Sequence, residues 1–160
     1  MAFGNEILTF ENASVDLSTY LQMAENYVHD LQAFSPDLRW SREAWLNDLS
    51  ETFLIRSGTD VIGLVVLEIV NFFERPEALY FSEFYLRPEF RRQGYGREAV
   101  SAILDQWDRD LFLYVLKGNQ TAAQFWNTMA KENHWKKIER PEIRQERDCE
   151  LRIYRQPGRE

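Results

Sequence analysis

At 160 residues the chain has single-domain size and can bury a substantial core, and residues 1–160 are read as one domain. It is 44% hydrophobic with a net charge of −7, which disfavours a nucleic-acid partner held by clustered lysine and arginine. No apolar run approaches the ~20 residues that span a bilayer. Met1 to Glu6 carry neither a basic start nor an apolar stretch, so no membrane partner and a cytoplasmic location are expected.

In chain order, residues 7–10 (Ile-Leu-Thr-Phe) predict a short strand. From Leu17 to Leu31, Tyr20, Met23, Ala24, Tyr27, Val28 and Leu31 form one helical stripe. Ser41 reads as the N-cap of a short helix over 42–49. Residues 52–56 and 61–70 flank Ser57-Gly58-Thr59-Asp60, a hairpin signal, and 79–87 is the next strand, antiparallel to its predecessor. After it comes Arg91-Arg92-Gln93-Gly94-Tyr95-Gly96, followed by Val100, Ile103, Leu104 and Trp107 on one helical face. Leu111 to Leu116 is an apolar strand. Asn119 or Thr121 can cap the helix carrying Ala122, Phe125, Trp126 and Met129. Residues 134–138 and 150–155 predict the last strands, with a charged loop or extension over 139–148. An antiparallel meander followed by strand–helix–strand–helix makes an α+β, or mixed α/β, domain around a central sheet.

Two glycines at a helix N-terminus present free backbone N–H groups and the positive end of the helix dipole, a site for phosphate or pyrophosphate. Arg87, Arg91, Arg92 and Arg97 concentrate positive charge there on an acidic chain, which suits a small polyanion. Gly94, Gly96 and Ala99 also satisfy a loose dinucleotide fingerprint. Residues 87–93 separate it from its strand, however, and an apolar run stands where its acid belongs. A P-loop fails because no Gly-Lys-Ser/Thr follows. The single cysteine, Cys149, excludes an internal disulfide, and with His29 and His134 it forms no zinc-ligand spacing, so no metal is expected.

Arg91 to Gly96, after the segment Arg87-Pro88-Glu89-Phe90, resembles motif A of the GNAT N-acetyltransferase superfamily. Asn119-Gln120-Thr121-Ala122-Ala123-Gln124-Phe125-Trp126 is similar to that family's second motif. The resemblance is strongest over 79–135. It implies a twisted, mostly antiparallel sheet flanked by helices, and transfer of an acetyl group from acetyl-coenzyme A to a primary amine. The carried-over cofactor residues are Phe84, Tyr85 and Leu86 for pantetheine backbone contacts. Arg91, Arg92, Gln93, Gly94, Tyr95, Gly96 and Arg97 would hold the pyrophosphate, and Asn119 and Phe125 flank the cofactor. Gly94 and Gly96 are expected to spare the phosphates a Cβ.

Glu83 is the candidate general base. It is the acid within 79–87, and alternation places it with Tyr85 on one face, opposite Ser82 and Phe84. The tyrosine many family members use to protonate the leaving thiolate is replaced here by Trp126. Tyr114 and Tyr85 are the nearest alternatives, or the thiolate leaves unaided. The resemblance assigns the acceptor site to the N-terminal helices, with Tyr27, Phe34, Trp40 and Trp45, and to the 139–148 segment. The acceptor is a small-molecule or peptide amine, and pairing of edge strands into a homodimer is common in the family. An acyl-coenzyme A-binding or protein-interaction module without turnover is the alternative.

Overall fold

A computed structural model of the chain describes residues 2–72, 75–143 and 148–158. Among them the β-type runs form one sheet. Its strands are β1 (Ala2–Gly4), β2 (Thr9–Asn12), β3 (Thr52–Ser57), β4 (Asp60–Phe72), β5 (Arg75–Leu86), β6 (Leu111–Leu116), β7 (Lys136–Ile138) and β8 (Cys149–Arg155). Their spatial order is β1-β2-β3-β4-β5-β6-β8-β7. Every neighbouring pair is antiparallel except β5 and β6. The mixed, mostly antiparallel sheet expected from the sequence is therefore the one observed.

Local chemistry sets the helices α1 (Leu17–Leu31), α2 (Arg42–Leu46), α3 (Tyr95–Gln106) and α4 (Gln120–Glu132). Asp16, Ser41 and Asn119 cap α1, α2 and α4 by accepting the N–H of Thr19, Ala44 and Ala122. α3 has no such cap, because Gly94 stands at its N-cap position. Val100 and Ile103 of α3 and Trp126 and Met129 of α4 join Ile62, Val65, Leu79 and Phe81 in the larger core. On the opposite face Tyr20, Met23 and Ala24 of α1 pack on Leu54, Leu64 and Tyr85.

Several boundaries differ from the sequence reading. β1 was not anticipated; Phe3 stacks on Phe10 at 4.5 Å and meets Phe53 and Trp107 edge-on at 5.1 Å each, which fixes the N-terminal strand. The strand expected at 7–10 begins at Thr9, since Asn5 Oδ1 accepts the N–H of Ile7 and Leu8 in a turn. α2 stops at Leu46, and Asp48 captures the N–H and hydroxyl of Ser50 in a local turn. β7 starts at Lys136, because His134 adopts φ 57° and Trp135 N–H bonds back to Ala130. Within the loop expected at 139–148, residues 144–147 lie outside the described residues.

One irregularity shapes the rest. Val66 opposes Glu83 but Leu67 opposes Phe81, so Ser82 is an extra residue, a β-bulge in β5. The parallel pairing of β5 with β6 covers Leu79↔Leu111, Tyr80↔Phe112 and Phe81↔Leu113 and ends there. Beyond the bulge the two strands run on without pairing to each other. The opening lies at the carboxyl ends of two parallel strands, where open sheets with crossover helices receive ligands.

Candidate active site

The glycine turn sits at the mouth of this opening. Gly94 has φ 86°, and a Cβ there would meet nothing within 4 Å, so glycine is favoured by the backbone angle itself. Gly96 has the opposite reason. A Cβ on it would lie 2.9 Å from Phe125 Cε1, so this glycine lets the α4 ring close against the first turn of α3. Both motifs thus meet in space. The first N–H groups of α3 have no side-chain cap, an arrangement able to receive an anion.

The basic side chains around the turn divide. Arg91 folds back: its Nε donates to the Leu86 carbonyl at 2.8 Å, its guanidinium lies 5.4 Å from the Tyr85 ring centroid, and it stands 3.6 Å from Asp30 of α1. Arg97 pairs with Glu132 of α4 at 2.9 Å, and Gln93 donates to the Glu89 carbonyl at 2.7 Å. Arg92 is exposed, at φ 62°, with no ion pair among the described residues.

Hydrogen-bond alternation shows which parts of β5 face the opening. Arg87 N–H bonds the Ile62 carbonyl at 2.8 Å. Counting back along the register, Tyr85 turns its N–H and C=O toward Leu64, whereas Leu86 and Phe84 turn theirs away from β4. Phe84 and Leu86 therefore turn their backbone groups toward the opening between β5 and β6, where Arg91 holds the Leu86 carbonyl, and Tyr85 packs its ring against α1.

The bulge also sorts the side chains. Phe81 and Phe84 pack in the larger core with Trp126, at 5.3 and 6.1 Å, while Glu83 and Tyr85 face α1. Ser82 shares the face of Tyr80 and Glu83, where simple alternation had set it opposite; the extra residue repeats one side of the strand. Glu83 Oε2 is closed off from solvent and has no hydrogen-bond partner. Burial pushes the carboxyl up to about 7, against a hydrogen bond from the Tyr27 hydroxyl that favours the charged form. The same enclosure, and next the charge of Glu83, push Tyr80 up to about 12. Tyr114 is exposed on this face and meets Tyr80 edge-on at 6.0 Å.

Across the sheet Trp126 is buried among Phe81, Phe84 and Phe125, and Asn119 uses its side chain to cap α4. Tyr27 and Tyr80 are the neighbours of Glu83 that spacing did not mark as such. Tyr27 was legible as a residue on the α1 stripe, but nothing in the chain between α1 and β5 shows that they touch. A separate hollow of about 370 Å³ lies toward the other end of α3, lined by Asp105, Asp108, Asn133 and Trp135. It shares no residue with the glycine turn. No group of three or more His, Cys, Asp or Glu among the described residues is arranged to hold a metal. No helix among them is long and apolar enough to cross a membrane.

Comparison with known proteins agrees with this geometry. The profile of the Acetyltransferase (GNAT) family matches residues 18–130. No curated protein matches the chain. Among solved structures, an acetyltransferase from Thermus thermophilus is similar with a TM-score of 0.64 at 15% identity, covering 92% of this chain and 95% of the other. A diaminobutyrate acetyltransferase from Paenibacillus lautus, in complex with L-2,4-diaminobutyric acid and coenzyme A, gives 0.65 at 16%, covering 92% and 93%. A ribosomal alpha-N-protein acetyltransferase in complex with coenzyme A gives 0.63 at 14%, covering 96% of each chain. With its own motifs joined at the opening between β5 and β6, the chain belongs to the GNAT acetyltransferase family, whose members use acetyl-coenzyme A.

Proposed function

We propose that this chain acetylates a primary amine by direct attack on the thioester, with Glu83 as general base. The carrying observation is the enclosed Glu83 Oε2, unpartnered and beside the opening of the sheet. A carboxyl whose affinity for a proton is raised to about 7 can take one from an amine near neutral pH. The amine substrates named for two of the structural neighbours support an amine acceptor here.

Each group has a part in this reading. The free N–H groups at Tyr95, Gly96 and Arg97, with Arg92, receive the pyrophosphate. Phe84 and Leu86 offer their backbone groups to the pantetheine, and Arg91 leaves the Leu86 carbonyl to admit it. Bound acetyl-coenzyme A supplies the carbonyl that the amine attacks. The amine approaches from the face of Glu83, Tyr80 and Tyr114, and its proton passes to Glu83. Tyr114 is the candidate donor to the departing sulfur, because Trp126 has no useful acid and is buried in the core.

The same tryptophan favours a second reading, a module that binds acyl-coenzyme A without turnover. Thermal unfolding with acetyl-coenzyme A, dephospho-coenzyme A and NAD tests the cofactor, and release of free thiol with a broad amine panel tests turnover. Stabilisation by acetyl-coenzyme A, with thiol release abolished in Glu83→Gln, is the expected result. Stabilisation without release on any amine favours the binding module. No stabilisation at millimolar ligand would overturn both readings.

A further inference from the structure

We propose that the acceptor is a diamine: one nitrogen reacts beside Glu83 while the second, still charged, rests on Glu68. This deepens the reading of Glu83 as the base and rests on it.

The register of β4 and β5 carries the argument. Val66 opposes Glu83 and Glu68 opposes Tyr80, so the two carboxylates stand at opposite corners of one four-residue patch. Val66 joins the cluster beneath α1 and Val70 the cluster that holds Tyr80, so alternation along β4 puts Glu68 on that same face. Diagonal neighbours on one face of an antiparallel pair stand roughly 7–8 Å apart. Glu68 is exposed, with no ion pair among the described residues. Glu83 Oε2 is closed off from solvent and has no hydrogen-bond partner. A buried carboxylate left in that state is costly, and an arriving ammonium relieves it.

The rest of the patch suits the same ligand. The row Glu68–Tyr80–Phe112–Ile153 and the neighbouring pair Tyr114–Leu151 contain no lysine or arginine. Tyr80 stacks on Phe112 at 4.6 Å, and Tyr114 meets Tyr80 edge-on at 6.0 Å. Such rings receive both the alkyl chain of a diamine and its positive ends. The nitrogen beside Glu83 gives it one proton and attacks the acetyl carbon. Its second proton leaves with the sulfur as the amide bond forms and the carbon–sulfur bond breaks. The far nitrogen keeps its charge on Glu68 and sets how deeply the chain enters.

The test is titration calorimetry in the presence of coenzyme A, a complex that cannot turn over. It compares cadaverine with n-pentylamine, the same chain with one nitrogen. Wild type should bind cadaverine roughly tenfold more tightly, the strength of one hydrogen bond to a charged group. In Glu68→Gln the two amines should bind almost equally. Asp105→Asn removes an equal charge at the hollow toward the other end of α3 and should keep the preference. Equal binding of the two amines by wild type would overturn the proposal. So would a preference that survives in Glu68→Gln or vanishes in Asp105→Asn. Thiol release with cadaverine then tests the reading beneath it. A preference that depends on Glu68, in a protein that releases no thiol, would keep the diamine site and remove Glu83 as a working base.

Discussion

Burying Glu83 without a cationic partner has a measurable cost. Its folded value of about 7 lies above the 4.5 of the free side chain. A raised acid contributes its full stability below the unfolded value, and loses it as pH rises through the folded one. Wild type should therefore lose about 3 kcal/mol of stability between roughly pH 4.5 and pH 7, at ~1.36 kcal/mol for each tenfold gain in proton affinity on folding. Glu83→Gln lacks this loss. Urea unfolding at pH 8 should find the variant more stable than wild type, with the gap closing near pH 4; a constant gap would refute the burial argument. Acetyl transfer by the variant should fall by roughly 10²–10⁴, the usual contribution of a positioned base, with acetyl-coenzyme A binding intact. The glycines separate in the same way. Gly94→Ala should cost about 1–2 kcal/mol from its left-handed backbone alone. In Gly96→Ala the new methyl presses on Phe125, and ring resonances of that residue should shift in the unliganded protein.

Among the elements, the bulge in β5 has the largest consequence. Because Phe81 and Glu83 already face opposite sides, deleting Ser82 restores a regular ladder and keeps every side chain on its face. Bulges bend and twist a strand, and the pairing of β5 with β6 stops where this one begins. The deletion should fold, extend the parallel pairing toward Leu86, and weaken acetyl-coenzyme A binding at least tenfold by calorimetry. Unaltered affinity would mean the strands part for another reason. On the outer part of the sheet, Arg152 of β8 is buried and donates to the Ala123 carbonyl at 3.1 Å and Asn127 at 2.8 Å, tying α4 to the sheet. Arg152→Met removes the donor to the Asn127 side-chain oxygen and should cost about 1–3 kcal/mol in thermal or urea unfolding. Helices α1, α3 and α4 and strand β6 were legible from spacing and caps, since those signals are local. The bulge was not, because two residues opposing one is a property of the pair of strands.

For the whole molecule, ligand linkage is the broadest check. Acetyl-coenzyme A at about 100 times its dissociation constant adds ~2.7 kcal/mol, which should raise the unfolding midpoint by roughly 5–10 °C for a chain of this size. The sequence by itself determined the alternation of strands and helices and the two motifs that mark the family and its cofactor. These depend on neighbours a few residues apart, where spacing and dihedral preference act directly. Tertiary structure decided that Arg91 lies on Tyr85 and not with Arg92 at the helix end, that Phe84 and Leu86 turn their backbone groups to the opening, and that Tyr27 meets Glu83. Each of these follows from register, a bulge, or the packing of α1 across the sheet. The proton affinity of Glu83 depends on how completely distant parts of the chain exclude water from it.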